Sequence, residues 1–241
     1  MENKVSLQII GRIYNDYDGK FGVPRQSGLV EEVISRVVLL PEFRRAEAFR
    51  GLAGFSHVWL LWLFSEGFAS ANGDNDDQRE WQATVRPPRL GGNQRVGVFA
   101  SRSPNRPNPL GLSAVRLLEI AQEAEGPVLL VAGADVLNGT PLLDIKPYVP
   151  YADARPQAQG GFAVPPEQTR RLQVQIAPEL LAMLPPAKRP ALLAVLAEDP
   201  RPAYHAGRQE EARVYGLSFG GFNVRFQVQG EVLQVVELER I

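Results

Sequence analysis

The sequence predicts a mainly β protein: a non-Rossmann β-barrel followed by a small α+β C-terminal domain. Three observations predict it. Up to about residue 150, apolar runs are bounded by Gly, Pro and Asn and do not alternate with long helical patterns. Residues 152–168, "ADARPQAQGGFAVPPEQ", have the composition of a linker. Beyond them the texture changes, and "GFNVRFQVQG" alternates strictly, with Phe222, Val224, Phe226 and Val228 on one face. The chain divides accordingly into a barrel over 1–152, a linker over 153–170 and a small domain over 171–241.

The strands come first. "VSLQIIGRIY", "LVEEVISRVVLL", "HVWLLWLF", "QRVGVFA", "LSAVRLLEIA" and "PVLLVAGADVL" all read as strands. So many strands with so few helices suit a closed or nearly closed barrel. One short helix is expected in "PEFRRAEAFRGL", with Pro41 in its first turn and Gly51 at its stop. Residues 66–80 have no period and read as a surface loop. In the second domain, "APELLAMLPPAKRPALLAVLAED" predicts two short helices broken at Pro185-Pro186. "EVLQVVELER" is the natural hairpin partner of the alternating strand, joined around Gln229-Gly230.

Composition excludes several classes of function. The chain has no cysteine, so it holds no disulfide, thiolate nucleophile or zinc knuckle. Its two histidines, His57 and His205, exclude a histidine-rich metal site, and no metal is expected. His57, at the mouth of an apolar run, reads as a cap on a strand end. Phosphate-loop, G-x-G-x-x-G, H-E-x-x-H and G-x-S-x-G patterns are missing. No apolar run reaches the eighteen or so residues of a membrane span, and the N-terminus lacks signal-peptide architecture. A cytoplasmic address without membrane attachment is the expectation.

Charge is segregated. Net charge is −1, yet Trp81 to Leu118 contains six arginines and no acid, leaving −7 for the rest of the chain. Arginine outnumbers lysine 22 to 4. Its planar fork suits bidentate recognition of phosphate and carboxylate. A GC-rich genome would explain the type of cation but not its separation from acids.

Four stretches concentrate the chemistry. "FGVPRQSG" sets Pro24, Arg25 and Gln26 on a turn between glycines. In "VRPPRLGGNQRVGVFASR", Arg86, Arg89, Arg95 and Arg102 radiate from a backbone stiffened by Pro and Gly. "SRSPNRPNPLGLS" packs Arg102, Arg106 and three prolines into nine residues, Ser101 to Pro109. Each proline restricts its own φ and pushes the preceding residue to extended geometry, so these arginines have little freedom left to lose. "ADVLNGTPLLDIKPYVPYAD" begins as a strand, turns at Asn138-Gly139 and continues as a strand. Its Tyr148 and Tyr151 read either as stacking platforms or as residues at the core edge.

Together these stretches resemble one family. The residues that carry the likeness are "VPRQ" at 23–26, "GFSHVWLLW" at 54–62, "VRPPRLGGNQRVGVFASRSPNRPNPLGLS" at 85–113, "DVLNGTPLLDIKPYVPYAD" at 135–153 and "DPRPAY" at 199–204. The sequence is similar to the TrmO (TsaA-like, YaeB-like) family of S-adenosylmethionine-dependent tRNA methyltransferases. The resemblance implies a homodimeric barrel that methylates N6 of threonylcarbamoyl-adenosine at position 37 of tRNA (t6A to m6t6A). It implies cofactor contacts at Pro24, Arg25, Gln26, Arg102, Leu112, Asp135, Val136, Leu137 and Asn138. A further contact falls at Ser65 and Glu66, where some relatives carry His-Gln. Asn138 stands where relatives have Asp, which keeps the turn and an acceptor but loses a charge.

Methyl transfer from a sulfonium is an in-line displacement that needs positioning more than a metal or a covalent intermediate. Arginine should not face the sulfonium cation. Arg86, Arg89, Arg95 and Arg106 suit tRNA phosphates, and arginine also suits the carboxylates of methionine and of the threonyl group. Asp144, Lys146 and Tyr148 are the candidates for the proton acceptor, with water as an alternative. Two other readings stand beside this one: a non-catalytic RNA- or nucleotide-binding barrel, and a methyltransferase for another acceptor.

Overall fold

The computed structural model describes residues 5–64, 81–87, 90, 94–163, 171–201 and 213–241. Six strands close into a barrel in the order β1-β2-β7-β6-β3-β8. They are β1 (Gly11–Tyr14), β2 (Ile34–Leu39), β3 (His57–Leu63), β6 (Leu110–Glu123), β7 (Gly126–Ala132) and β8 (Thr140–Pro147). Two short strands, β4 (Thr84–Val85) and β5 (Val96–Gly97), pair with each other outside it. The last ring pairing is β1 with β8, Ile13 opposite Thr140 and Gly11 opposite Leu142.

Alternation builds the barrel wall. In β3 the residues Val58, Leu60 and Trp62 are buried, while the residues between them are only half-buried. Ile13, Val37, Val115, Leu129, Val131 and Leu142 meet them inside. Gly111, opposite Trp62 across the β3–β6 ladder, leaves room for the indole. A Cβ at Gly111 would fall 2.2 Å from that ring.

Every pairing in the ring is antiparallel, so alternate connections emerge at the same end. The chain between β1 and β2, the chain between β3 and β6 and the loop between β7 and β8 therefore share one rim. The β2–β3 connection and the C-terminal end of β8 lie at the opposite rim.

Residues 41–54 depart from the expected helix. They form three separate 3-10 turns, Pro41–Phe43, Ala46–Phe49 and Leu52–Gly54. Arg44 ties this segment down: its Nε donates to the Leu39 carbonyl at 2.6 Å and its Nη1 donates to Glu125 at 2.8 Å. Arg45 and Arg50 are extended, and Gly51 adopts φ 86°, so the α-helical pattern cannot propagate. Likewise 133–139 is a loop, not the start of a strand, with Gly133 at φ 80° and Gly139 at φ 79° turning it at both ends.

The second sheet runs β10 (Tyr215–Phe219), β11 (Phe222–Gln229), β12 (Val232–Arg240), β9 (Gln173–Gln175), with β12 and β9 parallel. The β11–β12 hairpin forms as the sequence predicts, but its turn is Gly230-Glu231, one residue beyond the expected Gln229-Gly230, because Gln229 still pairs with Val232. Three α-helices occur among the described residues: α1 (Pro150–Asp153), α2 (Pro178–Met183) and α3 (Arg189–Ala197). The last two are broken at Pro185-Pro186 as expected. No helix among the described residues is long and apolar enough to cross a membrane.

The core of this C-terminal unit includes barrel-side residues. Tyr17, Val30 and Val33, from the β1–β2 connection, are buried with Leu192, Val195, Leu217 and Phe219. Tyr17 meets Phe219 edge-on at 6.1 Å and forms an isolated β-bridge with it. Lys188 Nζ donates to Asp16 at 2.6 Å, and the Gly221 N–H donates to Asp18 at 2.7 Å.

Phe219→Ala is expected to cost about 3–5 kcal/mol, the usual loss for a buried phenylalanine, as measured by urea denaturation. Limited proteolysis should then cut within residues 15–33 as well as within the C-terminal unit. Cutting in the C-terminal unit alone would show that the β1–β2 connection stands without it.

Candidate functional site

The sequence-predicted cofactor residues fall on the shared rim because of strand order alone. Pro24, Arg25 and Gln26 lie between β1 and β2, Arg102 lies between β3 and β6, and Asp135, Val136, Leu137 and Asn138 lie between β7 and β8. Two of these connections touch directly, with the Gly28 N–H donating to the Gly133 carbonyl at 2.8 Å. A Cβ at Gly133 would lie 3.0 Å from Gly28 Cα, so the approach depends on glycine. Gln26 accepts a hydrogen bond from Arg102 Nη1, which joins the third connection to the first.

Asp135 anchors the centre of this cluster. Ser113 Oγ donates to its Oδ1 at 2.5 Å, and Trp62 Nε1 donates to Ser113 Oγ at 2.9 Å. The direction of this relay is forced. An indole N–H can only donate, so the single hydroxyl hydrogen of Ser113 is left for Asp135. Burial raises the Asp135 carboxyl above the ordinary aspartate range. The Ser113 hydrogen bond, backbone N–H groups at Asp135 and Ser27, and the charge of Arg102 oppose that rise. Nearby, burial and then the Asp135 charge raise the Tyr17 phenol well above its usual value, which keeps it neutral.

The 135–138 loop is locked along its length. Asn15 Nδ2 donates to the Val136 carbonyl at 3.0 Å, and the Asn15 N–H donates to Asn138 Oδ1 at 3.2 Å. The Asn138 N–H donates to the Tyr17 carbonyl at 2.9 Å, and its Nδ2 donates to Asp18 at 3.3 Å. Val136 is buried in the barrel. Leu112 follows the alternation of β6 outward and is 53% exposed, beside Leu61 of β3.

The arginines divide by what they hold. Arg106 is half-buried and donates to the carbonyls of Ser101 at 2.9 Å and Ser103 at 3.4 Å, so it braces the proline-rich turn from inside. Arg116 pairs with Glu31 at 3.3 Å. Arg95 donates to Thr84 at 2.8 Å across the β4–β5 pair. Arg86 is exposed. Ser65, Glu66 and Arg89 lie outside the described residues.

Asp144, Lys146 and Tyr148 are not brought to this cluster within one chain. Asp144 lies four residues into β8 from Thr140, about 13 Å from the shared rim by strand rise. It pairs with Lys146 at 2.9 Å on the way to the other end. Tyr148 packs there against Trp59 at 5.5 Å and His57 at 6.2 Å. His57 is the first residue of β3, as a strand-end cap would be.

Two family models together match nearly the whole chain. That of the tRNA-methyltransferase O N-terminal domain matches residues 12–154, and that of the TrmO C-terminal domain matches residues 169–241. The chain belongs to the TrmO family. It is 39% identical over 235 residues to the tRNA (adenine(37)-N6)-methyltransferase of Escherichia coli K12, covering 95% of this chain and 96% of that one. It is 48% identical over 178 residues to the enzyme of that name from Eikenella corrodens, covering 73% of this chain and 92% of that one. A crystal structure of TrmO from Pseudomonas aeruginosa superposes with a TM-score of 0.72 at 31% identity, covering 98% of each chain.

Ser113, Trp62 and Asn15 are given no part by the sequence motifs, yet the fold places them at the centre of the rim. The signal for Ser113 was present: a hydroxyl at an inward position of an alternating strand must find a partner.

Ser113→Ala is expected to destabilise the protein by about 1.5–3 kcal/mol, the range for a hydrogen bond to a charged group. It also strands the Trp62 N–H. The lost bond favours the anion, so the Asp135 carboxyl should titrate at higher pH in the variant than in the wild type. Carbon-13 NMR titration of the aspartate carboxyls reads this directly, and an unmoved Asp135 would break the relay.

Proposed function

We infer that the protein is an S-adenosylmethionine-dependent tRNA (adenine(37)-N6)-methyltransferase. The observation that carries this reading is the full-length likeness to the Escherichia coli enzyme, over 95% of this chain. A relative from Pseudomonas aeruginosa, 46% identical over 161 residues, is named a putative S-adenosylmethionine-dependent methyltransferase.

The rim residues fit that cofactor by their donor set. Its amino-acid end carries an ammonium and a carboxylate, and the rim offers Asp135 and Arg102 within electrostatic reach of each other. When bound, S-adenosylmethionine supplies an electrophilic methyl group on a sulfonium. The chain's own part is placement. Asp135 takes the ammonium, Arg102 oriented by Gln26 takes the carboxylate, and Pro24, Arg25 and the 136–138 backbone line the remainder. The closed barrel beneath holds these groups with little freedom, which is what an in-line transfer requires.

The acceptor we assign is the threonylcarbamoyl-adenosine form of the nucleotide. Its N6 carries a carbamoyl group and is more acidic than a plain amine, and its threonyl carboxylate suits the arginine-rich rim. Exposed Arg86 and Arg95 meet tRNA phosphates. The compartment we assign is the cytoplasm, where tRNA would be met.

The working unit we assign is a homodimer. Outward residues of β3 and β6 form an apolar face, Leu61 opposite Leu112 and Leu63 opposite Leu110. Leu110 and Leu112 are 40% and 53% exposed, which is uncommon for leucine on a strand left facing water.

Two measurements test these statements. Purified protein, S-adenosylmethionine and tRNA bearing threonylcarbamoyl-adenosine are expected to yield the N6-methylated nucleoside on mass analysis of digested tRNA. Methylation of tRNA lacking the threonylcarbamoyl group at an equal rate would remove the acceptor assignment. No cofactor-induced rise in melting temperature at millimolar concentration would favour the non-catalytic barrel instead. Light scattering after size exclusion is expected to give twice the chain mass, and Leu112→Glu is expected to shift it toward the monomer.

A further inference from the structure

We propose that Trp81 and Phe99 form a stacking platform for unpaired bases of the tRNA anticodon loop. The proposal rests on the tRNA reading above and adds where the loop is held.

The two rings lie on the arm that carries β4 and β5. Their centroids are 6.0 Å apart with planes inclined by 26°, so they stack on each other. Yet Trp81 is 48% exposed and Phe99 is 74% exposed. An aromatic pair ordinarily buries its faces. Here both rings keep a large part of their surface open to solvent.

The described residues beside them are joined by backbone hydrogen bonds. Thr84 pairs with Gly97 and Val85 with Val96. The Val98 N–H donates to the Ala83 carbonyl at 3.0 Å, and Val98 is buried. Phe99 therefore projects from a fixed 3-10 turn, Val98–Ala100. The Gln82 N–H reaches the Asn105 carbonyl at 3.4 Å, which ties the arm to the proline-rich turn that bears Arg102.

Charge identifies the occupant. Residues 81–118 contain six arginines and no acid, and exposed Arg86 and Arg95 lie between Trp81 and Phe99 in the chain. Single-stranded nucleic acid suits both features: bases stack on aromatic faces while cations follow the backbone. The chemistry requires such a grip. A base presented for N6 methylation must leave its stack, and stacking its neighbours on protein offsets that loss.

The test is the affinity of a fluorescent anticodon stem-loop RNA, measured by anisotropy at fixed salt beside a fully paired duplex of equal length. Phe99→Ala and Trp81→Ala are each expected to weaken stem-loop binding about tenfold, the scale of one lost base stack, with duplex binding and S-adenosylmethionine affinity unchanged. Phe99→Leu keeps the apolar bulk without a π face and is expected to weaken binding as alanine does, whereas Phe99→Tyr retains it. Wild-type stem-loop affinity in the alanine and leucine variants would overturn the platform. So would an equal loss for the duplex, or a loss that accompanies a changed oligomeric state, which would place the rings in a subunit interface. A wild-type protein that binds no stem-loop at all would count against the tRNA reading instead.

Discussion

Closure of the barrel by β1 against β8 is the constraint on which the rest depends. With β1 paired to β8 and every neighbour antiparallel, the β1–β2, β3–β6 and β7–β8 connections emerge together. Gln26, Arg102 and Asp135 come from segments more than 30 residues apart, as their numbers show. Nothing local brings them together; ring order does. A barrel also removes the free edges that an open sheet would expose, so the rim can carry polar loops without inviting strand addition. The interior pays a small tribute to this geometry in Gly111, where only a missing side chain lets Trp62 turn its N–H toward Ser113.

The C-terminal unit is part of the same arrangement. By burying Tyr17, Val30 and Val33 it fixes both ends of the segment that bears Pro24, Arg25 and Gln26. Gly22, inside that segment, sits with φ 97° against Val195 and Leu217. Packing cores are close-filled, so displacement at one wall is transmitted to the other. The placement of the Gln26 amide, and through it of Arg102, is thus set partly by residues after 171.

Much of this was legible in the sequence. Barrel class followed from apolar runs broken by Gly and Pro, and the β11–β12 hairpin from strict alternation. The broken α2–α3 pair followed from Pro185-Pro186. The three 3-10 turns at 41–54 did not, because helical spacing in "PEFRRAEAFRGL" says nothing of the Arg44 bonds to Leu39 and Glu125 that hold the chain in another shape. Charge offered Arg106 to tRNA phosphates, whereas the fold turns it inward to brace Ser101 and Ser103. Charge in a sequence has sign but no direction. The Trp62–Ser113–Asp135 relay was hidden for a related reason: its members are 51 and 22 residues apart, and it takes the β3–β6 register to bring Trp62 to Ser113 and the β7–β8 loop to bring Asp135.

Direction also resolves how an arginine-rich rim can serve a cationic cofactor. Several acids near the rim are already committed. Asp16 holds Lys188, Asp18 holds the Gly221 N–H, and Glu31 holds Arg116. Asp135 is different, because the Ser113 hydroxyl and backbone N–H groups support its anion with no direct ion pair among the described residues. Its charge lies close enough to Arg102 to be felt, and Gln26 turns that guanidinium by accepting from it. Arg102 is therefore screened and oriented, while Asp135 keeps a carboxylate for a positive ligand. Burial works against that carboxylate, since a desolvated acid prefers to be neutral. The donors around it work the other way. A cationic ligand arriving beside Asp135 would tip that balance toward the anion, so binding and ionisation would reinforce each other there.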